Sequence, residues 1–270
     1  MVLNAHLRRW HVLGTVGILV LSIISSLLGL FREGHYDVDP ALLSRFHAQD
    51  AVILVVAVPV LAIGLWTANR GSVRGRVVWL GGLAYMTYMW ASIVGTTPFG
   101  YFFLGYVVLF SLSLFTLVAG VATTDPAPYF RALDGHLSKP LYAGFLLAVA
   151  LGLSLLWLSD LVPALLAGTR PVVVEELGEQ AIYTYILDLG IVVPSLVITA
   201  AWIWQGRQWG YVFAGVLLVM AALLAPSLTA ITVVDALGGY VTLTTPLIVG
   251  TILPPVVAVG FAIHYLRILG

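Results

Sequence analysis

Two aspartates stand in strongly apolar surroundings: Asp50, in Gln49-Asp50-Ala51-Val52, and Asp188, in Tyr185-Ile186-Leu187-Asp188. A charged group inside a bilayer costs about 2.5–3.5 kcal/mol or more, so it is functional by default and needs a partner. A carboxylate in a partly dry cavity can take up a proton or hold a cation. Tyr85 and Tyr88 are three residues apart and share a helix face. A buried phenol needs a hydrogen-bond partner, which Asp50, Gln49 or a backbone carbonyl could supply. Asp50, Asp188, Tyr85, Tyr88, Gln49 and Tyr185 are therefore the candidate substrate- or proton-binding residues. Two readings stay open. The aspartates face one cavity in the outer leaflet, or each occupies the positive N-terminal end of an outward-starting helix, with the tyrosines serving as glue between helices.

Metal chemistry has weaker support. His47 and Asp50 are three apart, and Glu175 and Glu179 are four apart. With His35, Asp37 and Asp39 they could offer imidazole and carboxylate ligands to a divalent cation at the outer face, although a solvated acidic rim explains the same residues. His11 and His264 could in principle ligate a haem, but no spacing pairs them. The chain has no cysteine, so disulfides, thiolate metal sites, Fe–S clusters and cysteine nucleophiles are excluded. The single lysine, Lys139, lies in Ser138-Lys139-Pro140 and outside any apolar run, which excludes a retinal Schiff base. There is no Gly-rich phosphate loop, nucleophile elbow or HExxH. No cofactor and no catalytic residue are expected.

The elements that must hold these residues follow from composition. Of 270 residues 61% are apolar and only 9% are charged, against about 45–50% and about 25% in soluble domains. A soluble enzyme, a nucleic-acid binder and a disordered chain are excluded; an all-helical polytopic membrane bundle in a lipid bilayer remains. Eight apolar runs are long enough to span: Trp10–Phe31, Asp50–Trp66, Val77–Val94, Phe99–Ala122, Leu141–Leu158, Ala181–Trp204, Tyr211–Ile231 and Leu243–Leu266. The first follows Arg8-Arg9 but exceeds the roughly 7–15 residues of a signal-peptide core, so a retained span is expected. Turns are expected at Thr96–Gly100 and at Asp235–Gly239, from their Pro and Gly.

Charge sorts by side. With eight spans, Arg8, Arg9, Arg70, Arg74, Arg76, Arg131, Lys139, Arg207 and Arg267 share one side, nine of the 12 basic residues. The positive-inside rule makes that side, with both termini, cytoplasmic in a cell membrane. Nine of the 12 acidic residues fall on the other side, which gives about +7 inside and about −6 outside, with Asp188 left within the bundle.

The halves echo each other. Asp50 and Asp188 are 138 apart (188 − 50), as are Trp66 and Trp204 (204 − 66). Gly100-Tyr101 and Gly239-Tyr240 are 139 apart (239 − 100), and Pro40-Ala41-Leu42-Leu43 recurs as Pro163-Ala164-Leu165-Leu166. A 4+4 parallel internal repeat is expected, with halves 1–122 and 141–270 joined by a cytoplasmic linker, 123–140; aromatic belts produce some of the same matches. The eighth run carries Thr244, Thr245, Pro246, Gly250, Thr251 and Pro254-Pro255, and the seventh carries Pro226-Ser227 and Thr229. Such prolines break or kink helices, and breaks at membrane depth line cavities or are buried in protein. Gly144, Ala148 and Gly152 form a small-residue face suited to a second helix, in this chain, a homo-oligomer or a membrane complex.

Gln49-Asp50, the basic turn Arg70–Arg76, Tyr106–Leu114 and Tyr185–Asp188 resemble uncharacterised prokaryotic multi-pass membrane proteins, over most of the chain. The resemblance implies topology and no chemistry. Transport or permeation of a small solute or ion, proton-coupled through the aspartates, is the leading expectation. A non-catalytic subunit or sensor is next, and a membrane enzyme with an outward carboxylate and histidine site comes last.

Overall fold

The computed structural model describes residues 7–179, 182–239, 244 and 252–270, and these contain helices and no strand. In chain order the helices are α1 (Arg9–Phe31), α2 (Pro40–Asn69), α3 (Val73–Thr96), α4 (Phe103–Ala122), α5 (Ala127–Leu133), α6 (Lys139–Ala167), α7 (Val172–Leu177), α8 (Ile182–Trp204), α9 (Gln208–Leu237) and α10 (Leu253–Ile268). Seven of them, α1, α2, α3, α4, α6, α8 and α9, are long and apolar enough to cross a membrane, and α10 is a shorter apolar helix of 16 residues. The chain is therefore a multi-pass membrane protein in a lipid environment.

Helix boundaries follow local chemistry and correct two expectations. Asp39 caps α2 by accepting the Leu42 N–H at 3.0 Å, and Pro40 takes the first helical position, where a missing N–H costs nothing. The helix then continues without a break through the second apolar run. Asp50 thus lies about 15 Å into a helix rather than at its start, too deep for the N-terminal dipole, which fades within the first turn. α9 ends at Leu237, inside the expected Asp235–Gly239 turn, with Asp235 still in its last helical turn. Pro254 and Pro255 fall in the first turn of α10, so within the described residues they open a helix rather than interrupt one. Tyr240, Thr245, Pro246, Gly250 and Thr251 lie outside the described residues.

α2 and α8 each contain a widened π turn, at Ile53–Ala57 and Asp188–Val192. Each precedes a proline, Pro59 or Pro194, whose ring would clash with the carbonyl four residues back in a regular helix. The wider turn accommodates it. These features are spaced alike: 188 − 53 and 194 − 59 are both 135. So are the left-handed glycines that close the next turns, Gly71 (φ 84°) and Gly206 (φ 67°). Gly75 and Gly210 keep the same interval. A Cβ at Gly75 would lie 2.6 Å from the Ala68 N, and one at Gly210 would lie 2.6 Å from the Ile203 N, so each glycine lets two helices turn tightly against each other.

α3 and α9 form the buried axis. At Gly81 a Cβ would lie 2.6 Å from Val219 Cγ1 and 3.0 Å from the Val216 carbonyl, so the two backbones are in close approach. Fully buried Tyr85 and Ser227 bond across them at 2.9 Å. The peripheral helices α1, α4, α6 and α8 turn apolar faces outward, among them Leu13, Val20, Phe115, Leu151 and Ile186.

At the basic end, the Tyr211 hydroxyl and Lys139 Nζ reach Asp134 Oδ1 at 2.7 and 3.0 Å. The Tyr211 hydrogen bond first, and Lys139 second, hold the Asp134 carboxyl below its ordinary 3.8. A carboxyl depressed by folding stabilises the fold above its ordinary value, and that contribution is lost as pH falls through the depressed one. Asp134→Asn is therefore expected to melt below wild type at neutral pH, with the difference closing as acidification passes 3.8. Melting curves of both proteins in detergent against pH check it.

Candidate functional site

α1 presents an unusual buried face. His11, Thr15, Ile18, Ser22, Ser25 and Gly29 recur at alternating spacings of four and three, with Ser26 beside them, and all are buried. All but Ile18 are polar or small. The face runs between the two ends of the bundle. At the basic end the His11 ring meets the Thr123 hydroxyl at 3.2 Å, and Arg76 Nη2 meets the same hydroxyl at 3.5 Å. The Thr15 hydroxyl donates to the His11 carbonyl at 2.8 Å and accepts the Trp79 indole N–H at 2.9 Å.

At the other end stands Asp50, 1% exposed. Its Oδ2 accepts the Tyr36 hydroxyl at 2.8 Å, and its Oδ1 has no hydrogen-bond partner. Gly29 makes this approach possible, since a Cβ there would overlap Oδ2 and lie 2.9 Å from the carboxyl carbon. Ser26 comes close to the Asp50 carboxylate, and Ser25 to the Tyr106 hydroxyl, outside hydrogen-bonding geometry. The hydroxyls of Ser22, Ser25 and Ser26 are buried and unpartnered, as are Ser113 Oγ on α4 and Trp90 Nε1 on α3.

Tyr36 stacks on Phe46 with ring centroids 4.6 Å apart. Burial first, and the Asp50 carboxylate second, push its phenol above the ordinary range, so it donates rather than ionises. Beside it, the His35 Nε2 pairs with the Tyr106 hydroxyl at 2.7 Å, and Nδ1 with that of Tyr101. Burial, then neighbouring Arg32, lower the His35 pKa, which favours the neutral ring. A cleft of about 260 Å³ lined by Arg32, Glu33, His35, Tyr36 and His47 opens over this pair. Tyr36 thus separates the cleft from Asp50.

The other predicted residues occupy different surroundings. Asp188, 6% exposed, accepts the Tyr88 hydroxyl on Oδ1 and the Trp157 indole N–H on Oδ2, both at 2.8 Å. Both its oxygens are engaged, and it ties α3 to α8 and α6. Tyr185 donates to Asp160 at 2.6 Å. Gln49 points its amide at Met89 Sδ, 3.4 Å away. Tyr85 and Tyr88 share a face of α3 but bond to Ser227 and Asp188 respectively. No described hydrogen bond joins Asp50 to Asp188 or to either tyrosine.

The metal candidates stand apart as well. His47 lines the cleft by Tyr36, Glu175 is exposed, and Glu179 pairs with Arg170 at 2.9 Å. Asp37, Asp39 and Glu179 line a second, open cleft of about 460 Å³. Among the described residues no three His, Asp or Glu side chains come together as a metal site. His11 and His264 have separate partners, Thr123 and Tyr142.

Sequence reading missed Ser22, Ser25, Ser26, Gly29, Tyr36, Tyr106 and Trp157. The serines carried a usable signal, namely polar residues in helical register within an apolar run. Searches of protein-family models, curated proteins and solved structures find no match to this chain.

Proposed function

We propose that this protein moves a small ion or solute across the membrane, with Asp50 as the group that binds the cargo or the coupling proton. The observation that carries the reading is the open oxygen of Asp50. Asp188 has both oxygens occupied, and Asp235 is bound by Arg45 at 2.8 Å. Asp50 alone of these aspartates has an unpartnered oxygen that is itself shut away from solvent, and it does so beside free serine hydroxyls on a polar face that spans the bundle. Ionisable residues inside membranes mark ion pathways and proton relays. The cleft at Tyr36 supplies an entrance from the acidic end, and the His11–Thr123–Arg76 group lies at the opposite exit.

The basic end, with both termini, is cytoplasmic in this reading, and the protein resides in the cell membrane. The halves, 1–122 and 141–270 around the 123–140 linker, are parallel repeats, supported by the features that recur at 135 residues. At that interval Asp50 pairs with Tyr185 and Asp188 with Ile53 (50 + 135 and 188 − 135). The two aspartates are therefore not equivalent, in keeping with their different partners.

A role as a subunit of a membrane complex is favoured by one observation. Gly144 and Gly152 on α6 have nothing within 4 Å of a built Cβ, so this face is open to another helix.

Reconstituted liposomes test the main reading. Proton or cation flux is expected in wild type, a loss of ten-fold or more in Asp50→Asn, and flux near wild type in Asp188→Asn. Equal flux in wild type and Asp50→Asn would overturn it.

A further inference from the structure

The orphaned hydroxyls beside Asp50 differ from nine other hydroxyls along these helices and share their state with Ser113 on α4. A serine or threonine inside a helix ordinarily returns its hydroxyl to the carbonyl four residues back. Thr15, Ser44, Thr67, Thr87, Thr96, Thr124, Ser154, Thr229 and Thr232 all do so here, at 2.7–2.8 Å. Ser22, Ser25 and Ser26 do not, although all three are 0% exposed. Leaving a buried polar group unpaired costs about 1–3 kcal/mol each. Three such groups on one helix face, with Ser26 beside an Asp50 carboxylate whose Oδ1 is also open and Ser25 beside Tyr106, form a cradle that lacks its occupant.

The donor set defines that occupant. Asp50 Oδ1 and the serine Oγ atoms are hard oxygens, which select alkali and alkaline-earth cations over soft transition metals. One carboxylate supplies one negative charge. No arginine or lysine pairs with Asp50 in the described salt bridges, which involve Asp235, Asp134 and Glu179. A single positive charge would neutralise the carboxylate, whereas a divalent ion would leave a net charge buried in low dielectric. Asp50 Oδ1 and the three serine hydroxyls are all shielded from solvent, so any space between them is closed, which favours a small ion. Tyr36 and Tyr106 flank the group, and their hydroxyls are further oxygen donors nearby. The Trp90 N–H, also buried without a partner, is a donor and cannot ligate a cation.

We propose that Asp50, Ser22, Ser25 and Ser26 form a sodium site, the ion held by Asp50 Oδ1 and the serine hydroxyls. This deepens the transport reading by naming the coupling or transported cation, and rests on Asp50 being its centre.

Binding is measured on the purified full chain in detergent, by calorimetric titration of NaCl and by melting temperature, at constant ionic strength set with choline chloride. The expected result is one saturable sodium site per chain and a melting temperature that rises with the logarithm of sodium concentration. Asp50→Asn is expected to abolish both, and Ser26→Ala to weaken sodium affinity ten-fold or more. Asp188→Asn retains both. Should Asp50→Asn fail to fold, Ser26→Ala decides alone. In sodium-free buffer it is expected to melt at or above wild type, because it removes an orphaned hydroxyl, and in sodium below it.

A response equal in potassium or choline overturns the site, as does undiminished binding in Asp50→Asn or in Ser26→Ala. The two readings fail separately. Asp50-dependent proton flux without sodium binding overturns the sodium site and leaves transport standing. Sodium binding without any flux does the reverse.

Discussion

Alanine at Gly29 is expected to dismantle the Asp50 site and to destabilise the protein by about 2–5 kcal/mol, since an added methyl in a packed interior and a lost charged hydrogen bond act together. The new Cβ would overlap Asp50 Oδ2, lie 2.9 Å from its carboxyl carbon and 3.0 Å from Tyr36 Cε2. The carboxylate ends a short side chain that burial and the Tyr36 hydroxyl hold in place. Asp50 is 1% exposed, and Tyr36 is 5% exposed and stacked on Phe46, so neither can move aside without breaking the bond between them. The same methyl at Gly144, where nothing lies within 4 Å, changes stability by less than about 1 kcal/mol, in line with alanine's better helix propensity. Melting temperatures of the two variants in detergent check the contrast. Comparable small shifts in both would show that Asp50 is not seated on the α1 backbone.

The helical bundle was legible in the sequence because apolar run length is a direct physical requirement of the bilayer. Local punctuation was legible as well: Asp39-Pro40 caps a helix as its chemistry dictates, and the Thr96–Gly100 segment follows the end of α3. The start of α2 was misplaced for an equally physical reason. Residues 40–49 include Ser44, Arg45, His47 and Gln49, so hydropathy begins only at Asp50, whereas the backbone is already helical and Arg45 reaches Asp235 across the bundle.

Both aspartates were visible as anomalies, but what distinguishes them was not. Asp50 is met by Tyr36 from a loop 14 residues upstream, and Asp188 by Trp157 from another helix 31 residues upstream. Neither separation is a helical spacing, so no periodicity reveals it. The interval of 138 that joins the aspartates is also not the interval of 135 that joins the π turns, the prolines and the turn glycines. Matching residue identity alone equated two groups that stand three positions, nearly one helical turn, apart in the recurring frame.

Asp188→Ala is expected to cost about 2–5 kcal/mol, because it leaves both the Tyr88 hydroxyl and the Trp157 N–H buried without an acceptor, at about 1–3 kcal/mol each. Tyr88 belongs to α3, Trp157 to α6 and Asp188 to α8, so the loss loosens the junction between the first four helices and those that follow. Asp188→Asn keeps the shape and can still accept from Trp157 through its carbonyl oxygen while its amide donates to the Tyr88 hydroxyl, which can turn to accept. Its cost is expected below about 1.5 kcal/mol, the net worth of one ordinary hydrogen bond. A double-mutant cycle with Trp157→Phe isolates the coupling. The double variant with Asp188→Ala should be less destabilised than the sum of its parts, since the second change removes a donor that the first had orphaned. The decisive comparison is with Asp50. Asp188→Ala should shift melting temperature and leave sodium affinity unchanged in the folded fraction, whereas Asp50→Asn should abolish sodium binding. A loss of sodium binding in Asp188→Asn, with its fold intact, would return Asp188 from the structural junction to the binding site.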